Sequence, residues 1–207
     1  MTIATPSAFP PVADQRSAEI LDRVRRAFAE KGFDGASMQD LARATGMSVG
    51  NFYRYFPSKA AIVEALITRD LAEIEAQFSA IMESGDPLTG LRATLRHRIT
   101  TDCAADGQLW AEITAAALRK SEISAITTHM ETVIVRNLCS VFAHATGLPV
   151  DEAQRRYNSH ALLLVMLVKA SAMHPGQPGI NRENLSALVL RTVDRTLDEV
   201  ASDAAKG

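Results

Sequence analysis

Residues 38–59 read MQDLARATGMSVGNFYRYFPSK, two short stretches with apolar side chains at helical spacing on either side of Gly46. Ser37 precedes the first stretch, and Asp40 lies three residues after Ser37. This is the spacing of a capping box, which satisfies free amides at a helix start. Ser48 can cap the second stretch in the same way. The sequence therefore predicts two short helices joined by a glycine turn, which is the pattern of a helix-turn-helix.

Small and apolar residues in this stretch occupy the positions that would pack one helix on the other. Ala42 leaves room for the second helix, Gly46 permits the backbone turn, and three apolar side chains should fix the crossing angle: Leu41, Val49 and Phe52. Such a unit can present its second helix to the major groove of DNA. This pattern of small and apolar residues is common by chance. The helix caps and the aromatic residues near the end of the stretch make the prediction of a helix-turn-helix more specific.

The aromatic residues of the second short helix divide between two faces. Phe52 and Phe56 are four residues apart, so both should lie on one face and pack into a core. Tyr53 is one position further round the helix than Phe52, and its ring should turn away from that face. No role is assigned to Tyr55.

Helical periodicity extends over most of the chain, and no segment alternates between apolar and polar residues with the period of two that is typical of a strand. An all-α fold is therefore predicted. Nine helices are expected, over residues 15–31, from 38 to Gly46, and over 49–56, 59–83, 88–104, 107–119, 122–145, 151–173 and 183–202. The breaks after residue 83 fall at SGDP, ADG, KS, TGLP and HPGQPG.

Composition and charge set limits on the class of protein. Of the 207 residues, 47% are hydrophobic and 22% are charged, which favours a packed core over a disordered chain. The net charge is −2, and residues 1–60 contain 8 Lys and Arg against 6 Asp and Glu. This excess of positive charge is modest, so it does not by itself identify a nucleic-acid partner.

Metal, disulfide and membrane patterns are not evident in the sequence. Cys103 and Cys139 lack CxxC spacing, and the five histidines lack HxxxH or HExxH spacing, so no metal site or cofactor is expected. The longest apolar run, residues 161–168, is far shorter than the roughly 20 residues of a membrane span, and a buried helix is expected there. No membrane partner is predicted, and the expected location is the cytoplasm.

The run RSAEILDRVRRAFAEKGFDGASMQDLARATGMSVGNFYRYFPSKAAIVEALI, residues 16–67, resembles the N-terminal domain of the tetracycline-repressor (TetR) family of bacterial transcription regulators. The resemblance rests on a first helix that ends at residues 31–33, on LARATGMS at 41–48, and on FYRYFPSK at 52–59. In that family the third helix reads DNA, and the remaining helices form a variable domain that binds a ligand and dimerises. Ligand binding generally releases the DNA.

The resemblance implies a division of the chain into three parts. Residues 1–14, with three prolines, would be a flexible N-terminal tail. Residues 15–60 would form a three-helix DNA-binding domain with the helix-turn-helix, and residues 61–207 a larger helical domain for effector binding and dimerisation. The division would fall inside the long fourth helix.

The resemblance also implies roles for particular residues. Ser37, Tyr53 and Lys59 match family positions that contact DNA phosphates. Asn51 and Arg54 have side-chain donors that could reach adenine and guanine respectively, or phosphates. The exposed part of the reading helix would comprise Ser48, Val49, Gly50, Asn51 and Arg54.

The larger domain offers candidates for an effector site and for a dimer interface. Residues that combine apolar bulk with a polar group are the effector candidates: Trp110, His129, Met130, Arg136, Phe142 and Tyr157. Glu112 has the same character, but we expect it and Trp110 to act partly as scaffold. The last two predicted helices have broad apolar stripes that suit a four-helix interface in a homodimer.

The sequence thus predicts a dimeric, ligand-responsive transcriptional regulator, most simply a repressor that binds a palindromic operator and is released by a small molecule. An activator, or a regulator without a small-molecule ligand, would have the same fold. An all-helical enzyme is the alternative from another class. It would need a nucleophile with a base, or a set of metal ligands, and no such spacing is found.

Overall fold

The computed structural model describes residues 15–101, 104–174 and 179–204 of the chain, so the predicted N-terminal tail lies outside the described residues. Across those ranges the secondary structure is nine α-helices, which confirms the predicted all-α class. They are α1 (Gln15–Lys31), α2 (Met38–Thr45), α3 (Val49–Tyr55), α4 (Lys59–Glu83), α5 (Pro87–Thr100), α6 (Ala104–Ala117), α7 (Ser121–Thr146), α8 (Val150–Met173) and α9 (Arg182–Ala204).

The helix starts near the glycine turn have the caps that the sequence predicts. Ser37 and Asp40 form the complete capping box of α2, and the side chain of Ser48 accepts from the amide of Asn51 at the start of α3. Gly46 ends α2 with a φ of 72°, a left-handed conformation that glycine adopts without steric cost. These local devices fix where α2 and α3 begin and how the chain turns between them.

One predicted helix break is wrong, and the reason is a tertiary contact. The predicted break at ADG, residues 105–107, lies inside α6, and α5 ends at Thr100 instead of near residue 104. A Cβ atom on Gly107 would lie 1.9 Å from the carbonyl oxygen of Ala172 in α8. Gly107 therefore permits two helix backbones to approach closely, and it does not mark a turn.

The first of two hydrophobic cores, here called the N-terminal core, joins α1–α4 to the larger domain. Its centre includes Val24, Phe28, Leu41 and Phe52, none of which is measurably exposed. Helix α6 and the start of α7 contribute four more buried side chains: Leu109, Ile113, Ala116 and Ile123. The three-helix domain is therefore packed against α6 through α1, as well as being joined to α4 along the chain.

The second core, here called the body core, lies among α5, α7, α8 and α9. Phe142 of α7 and Tyr157 of α8 are fully buried there, with their rings edge to face and their centroids 6.0 Å apart. Helix α4 contributes Leu66 to the N-terminal core and Ile81 to the body core. A single 25-residue helix thus connects the two.

The apolar run at residues 161–168 is buried on one side only. Ala161, Leu164 and Val165 lie in the body core, whereas Leu163 and Met166 are 39% and 57% exposed. The prediction of a buried helix is therefore correct for one face of α8 and wrong for the other.

In the described ranges no single helix is both long and apolar enough to cross a membrane. Helices α7 and α8 meet that requirement only as a pair, with a bend of 116° between them.

Candidate nucleic-acid interface

Two buried phenylalanines set the orientation of α3. Phe52 is fully buried, Phe56 is 6% exposed, and their ring centroids are 5.3 Å apart in the N-terminal core. Because α3 is held on this side, the rings of Tyr53 and Tyr55 lie on its outer side, where they are 46% and 45% exposed. The predicted division of the aromatic residues into two faces is confirmed.

The rest of the outer side of α3 is polar or small. Arg54 is exposed, Asn51 is half-buried, and no atom lies within 4 Å of the Cβ position of Gly50. Val49, the first residue of α3, is 40% exposed, so the prediction that it packs between the two helices is wrong. It lies instead on the outer surface, next to the N-cap residue Ser48, which is also exposed.

At the start of α2, Ser37 is held by Asp40. The Ser37 hydroxyl donates to Asp40 Oδ2 at 2.5 Å and accepts from the Asp40 amide at 3.1 Å. The Lys31 ammonium donates to Asp40 Oδ1 at 2.7 Å. Hydrogen bonds from Lys31 and then from Ser37 hold the pKa of the Asp40 carboxyl well below its usual range. Asp40 is therefore ionised at neutral pH and orients the hydroxyl at the helix start.

Lys59, the first residue of α4, reaches back to the loop between α1 and α2. Its ammonium donates to the carbonyl oxygens of Phe33 at 2.7 Å and Asp34 at 3.1 Å, and it lies 5.3 Å from the Phe33 ring centroid. Partial burial lowers the pKa of this ammonium. An ammonium has three donors, so these two carbonyl contacts leave one for an anion.

The six predicted effector residues fall into three separate places. Trp110 and Met130 pack against the N-terminal core, Phe142 and Tyr157 lie in the body core, and His129 and Arg136 are exposed on α7. None of the six lines the cavity between α5, α8 and α9 that is described next. The seventh residue considered, Glu112, accepts a hydrogen bond from the Phe33 amide at 2.8 Å, in agreement with the predicted scaffold role.

A cavity of about 150 Å³ lies elsewhere, between the ends of α5, α8 and α9. Its walls are mainly apolar, with Ile99, Leu167, Leu185 and Val189, and its polar groups include His174 and Arg182. Sequence reasoning missed it because the apolar stripes of α8 and α9 were assigned to a dimer interface. The sequence signal that could have indicated this cavity is the pair of polar residues at the helix ends, His174 after α8 and Arg182 at the start of α9.

No group of three or more His, Cys, Asp or Glu side chains that could hold a metal ion occurs in the part of the chain that the structure describes.

Residues 20–66 match the model of a protein family described as bacterial regulatory proteins, tetR family. This match places the helix-turn-helix region of the chain in the TetR family. All eight predicted DNA-contacting residues, from Ser37 to Lys59, lie inside the matched TetR region.

One TetR-family relative is the HTH-type transcriptional repressor KstR2 of Rhodococcus jostii. It is 31% identical over 120 residues, which are 55% of this chain and 56% of KstR2. The chain thus spans about half the length of that relative. This coverage is in keeping with a TetR family in which the DNA-binding region is shared and the larger domain varies.

Solved structures resemble the fold over nearly the whole chain. Salmonella enterica GusR has a TM-score of 0.67 at 23% identity and covers 93% of this chain and 100% of its own. AibR, solved in complex with isovaleryl coenzyme A and operator DNA, has a TM-score of 0.62 at 20% identity and covers 86% of this chain and 98% of its own. These similarities show that the helical fold of this chain is shared with those proteins over most of its length.

Proposed function

We propose that this protein is a dimeric transcriptional repressor that binds a palindromic operator and acts without a chemical step. The observation that carries the proposal is the orientation of α3, which is packed by Phe52 and exposes Tyr53 and Arg54 on its outer side, with Asn51 half-buried beside them. A rigid helix with such an outer face suits the major groove. The proposed site of action is the bacterial cytoplasm, where the DNA lies.

The proposed contacts separate into those that read bases and those that hold the backbone. Asn51 and Arg54 would read base edges, since an amide suits adenine and a guanidinium suits guanine. Tyr53, Ser37 and Lys59 would contact phosphates on either side of the groove, and these contacts set register without reading sequence. Ser48, Val49 and Gly50 are small enough to let α3 approach the bases closely.

We expect two kinds of defect when the outer face of α3 is altered. Tyr53→Phe removes one phosphate hydrogen bond and should weaken binding to operator and to random duplex alike, by about tenfold or less. Asn51→Ala should cost about 1–3 kcal/mol of discrimination at one base pair of each half-site. Both are measured as Kd for genomic operator fragments and for single-base variants at fixed salt.

The matched control for these measurements is Tyr55→Phe, which makes the same chemical change at an equally exposed tyrosine without an assigned DNA contact. Wild-type protein that binds all duplexes with equal affinity would refute operator recognition. Equal losses for Tyr53→Phe and Tyr55→Phe would remove the phosphate contact proposed for Tyr53.

The proposed dimer would form through α8 and α9. Leu163 and Met166 of α8 and Leu188 of α9 are large apolar side chains that stand 39%, 57% and 54% exposed on the single chain. Exposed apolar surface of this kind is typical of a protein interface. A two-fold dimer would place two copies of α3 about 34–36 Å apart, one turn of the DNA helix.

We further propose that a small molecule releases the operator by shifting the larger domain toward an arrangement that binds DNA less well. The solved complex of AibR with isovaleryl coenzyme A and operator DNA supports a ligand of acyl-coenzyme A type. The cavity between α5, α8 and α9, at about 150 Å³, would enclose only a small acyl group. Trp110, His129, Met130, Arg136, Phe142 and Tyr157 stay predictions for a wider site that opens between the helices.

Isovaleryl coenzyme A is the first probe for this proposal. At a concentration 100 times its Kd it should raise the melting temperature by about 5–10 °C and reduce the fraction of operator bound. Ser186→Phe, which fills the cavity, should abolish the thermal shift while operator binding persists. If a series of acyl-coenzyme A compounds changes neither quantity, a regulator without this ligand class is favoured.

A further inference from the structure

The junction between α6 and α7 places two cations against the DNA-binding domain. Arg119 and Lys120 follow the end of α6 and reach the loop that connects α1 to α2. The Arg119 guanidinium donates to Asp34 Oδ2 at 2.9 Å, and the Lys120 ammonium donates to Asp34 Oδ1. Arg119 and Lys120 thus share the carboxylate of Asp34, which lies 85 and 86 positions before them in the sequence.

Lys59 brings a third cation to the same loop. Its ammonium lies 5.3 Å from the centroid of the Phe33 ring, and the Lys120 ammonium lies 4.9 Å from the same centroid. The two ammonium groups are therefore no more than about 10 Å apart. Asp34 precedes Ser37 by three residues, so the cations lie beside the starts of α2 and α4, where phosphate contacts are proposed.

The charge of this cluster favours an anion. Arg119 and Lys120 donate to the Asp34 carboxylate, and Lys59 donates to the backbone carbonyl oxygen of the same residue. The nearby Glu112 carboxylate accepts a hydrogen bond from the backbone amide of Phe33. The 26-residue helix α7 also begins here, and its N-terminus has no side-chain cap. The partial positive charge of that helix end adds to the attraction for an anion.

The ion pairs of Asp34 can exchange with another anion at small cost. The side chains of Arg119, Lys120 and Asp34 are 58%, 43% and 53% exposed, and ion pairs at such exposed sites contribute little net stability. Hydrogen bonds from Lys120 and then from Arg119 lower the pKa of the Asp34 carboxyl, so it remains ionised at neutral pH. A phosphodiester can replace this carboxylate because it carries the same charge.

We propose that Arg119 and Lys120 form a phosphate-binding site for the operator backbone, supplied by the effector domain. A DNA strand that passes the starts of α2 and α4 would place one phosphodiester between Lys59 and Lys120, and this phosphate would replace Asp34 as the partner of Lys120. The inference rests on the proposed operator binding. It extends the DNA footprint beyond residues 15–60.

The test measures operator affinity against salt concentration for wild type and for Lys120→Gln. Loss of one phosphate contact in each subunit should reduce the slope of log K against log salt by about 1.8 for the dimer. The loss should be equal for operator and random duplex, because a phosphate contact reads no sequence. Asp34→Asn should raise affinity at low salt, since it removes a carboxylate that competes with the phosphate.

Arg98→Gln is the matched control, because Arg98 is an exposed cation on α5, outside the cluster, and its guanidinium donates to Gln77 Oε1. Its slope should equal that of wild type. A Lys120→Gln variant that melts like wild type and binds operator with an unchanged slope would overturn this inference while leaving the proposed function intact. Wild-type protein without operator preference would instead refute the proposed function.

Discussion

Replacing Phe52 with alanine is expected to lower the free energy of unfolding by about 3–5 kcal/mol and to abolish operator binding at moderate protein concentration. Phe52 is completely buried in the N-terminal core, and its ring centroid lies 5.3 Å from that of Phe56. Truncation removes the apolar area of the ring and leaves a cavity under the seven-residue helix α3. So short a helix depends on its packing, because isolated helices of this length are unstable in water.

The measurement is urea unfolding followed by circular dichroism, with both proteins at the same subunit concentration because the stability of a dimer depends on that concentration. Tyr55→Ala is the comparison on the same helix, and since Tyr55 is 45% exposed we expect a change of about 0.5 kcal/mol or less. A Phe52→Ala protein whose free energy of unfolding lies within about 1 kcal/mol of the wild-type value would contradict the assigned core role.

A double substitution on the exposed faces of α8 and α9 should convert the proposed dimer into a monomer. Met166→Asp with Leu188→Asp places four carboxylates in one two-fold interface, where each must lose water without gaining a cation. We expect the dimer Kd to rise by at least about 100-fold, or about 2.7 kcal/mol. Affinity for a palindromic operator should fall in parallel, because a monomer reads one half-site.

Sedimentation velocity at micromolar concentration distinguishes the two states. The proposed wild-type dimer would have a mass of about 45 kDa, twice the chain mass of 22.4 kDa, and the variant should sediment as the single chain. Leu118→Asp is the matched control, because Leu118 at the end of α6 is 85% exposed and lies outside the proposed interface. A double variant that remains dimeric would place the interface on another surface.

The sequence was most informative where structure depends on neighbours in the chain. The capping box at Ser37, the turn at Gly46 and the two faces of α3 all follow from spacings of three or four residues, and the structure has each of them. Helix α4 was likewise predicted from Lys59 to Glu83, because Ser58 caps its start and a polar break follows its end.

Tertiary contacts explain what the sequence did not reveal. Gly107 resembles a turn residue in sequence, and only its contact with Ala172 in α8 shows why glycine occurs within a helix. Phe142 has the bulk of a pocket residue, but whether its ring faces a ligand or a core depends on three other helices. Arg119 has no local pattern that relates it to Asp34, 85 residues earlier.

The N-terminal core has a consequence for the construction of chimeric regulators. Residues 15–60 form a helix-turn-helix whose packing is completed by Leu109, Ile113 and Ala116 of α6. Grafting those residues alone onto another effector domain would leave this apolar face against an unmatched partner. A working graft would have to carry the matching side chains of α6 as well, so the unit of transplantation is larger than the segment that reads DNA.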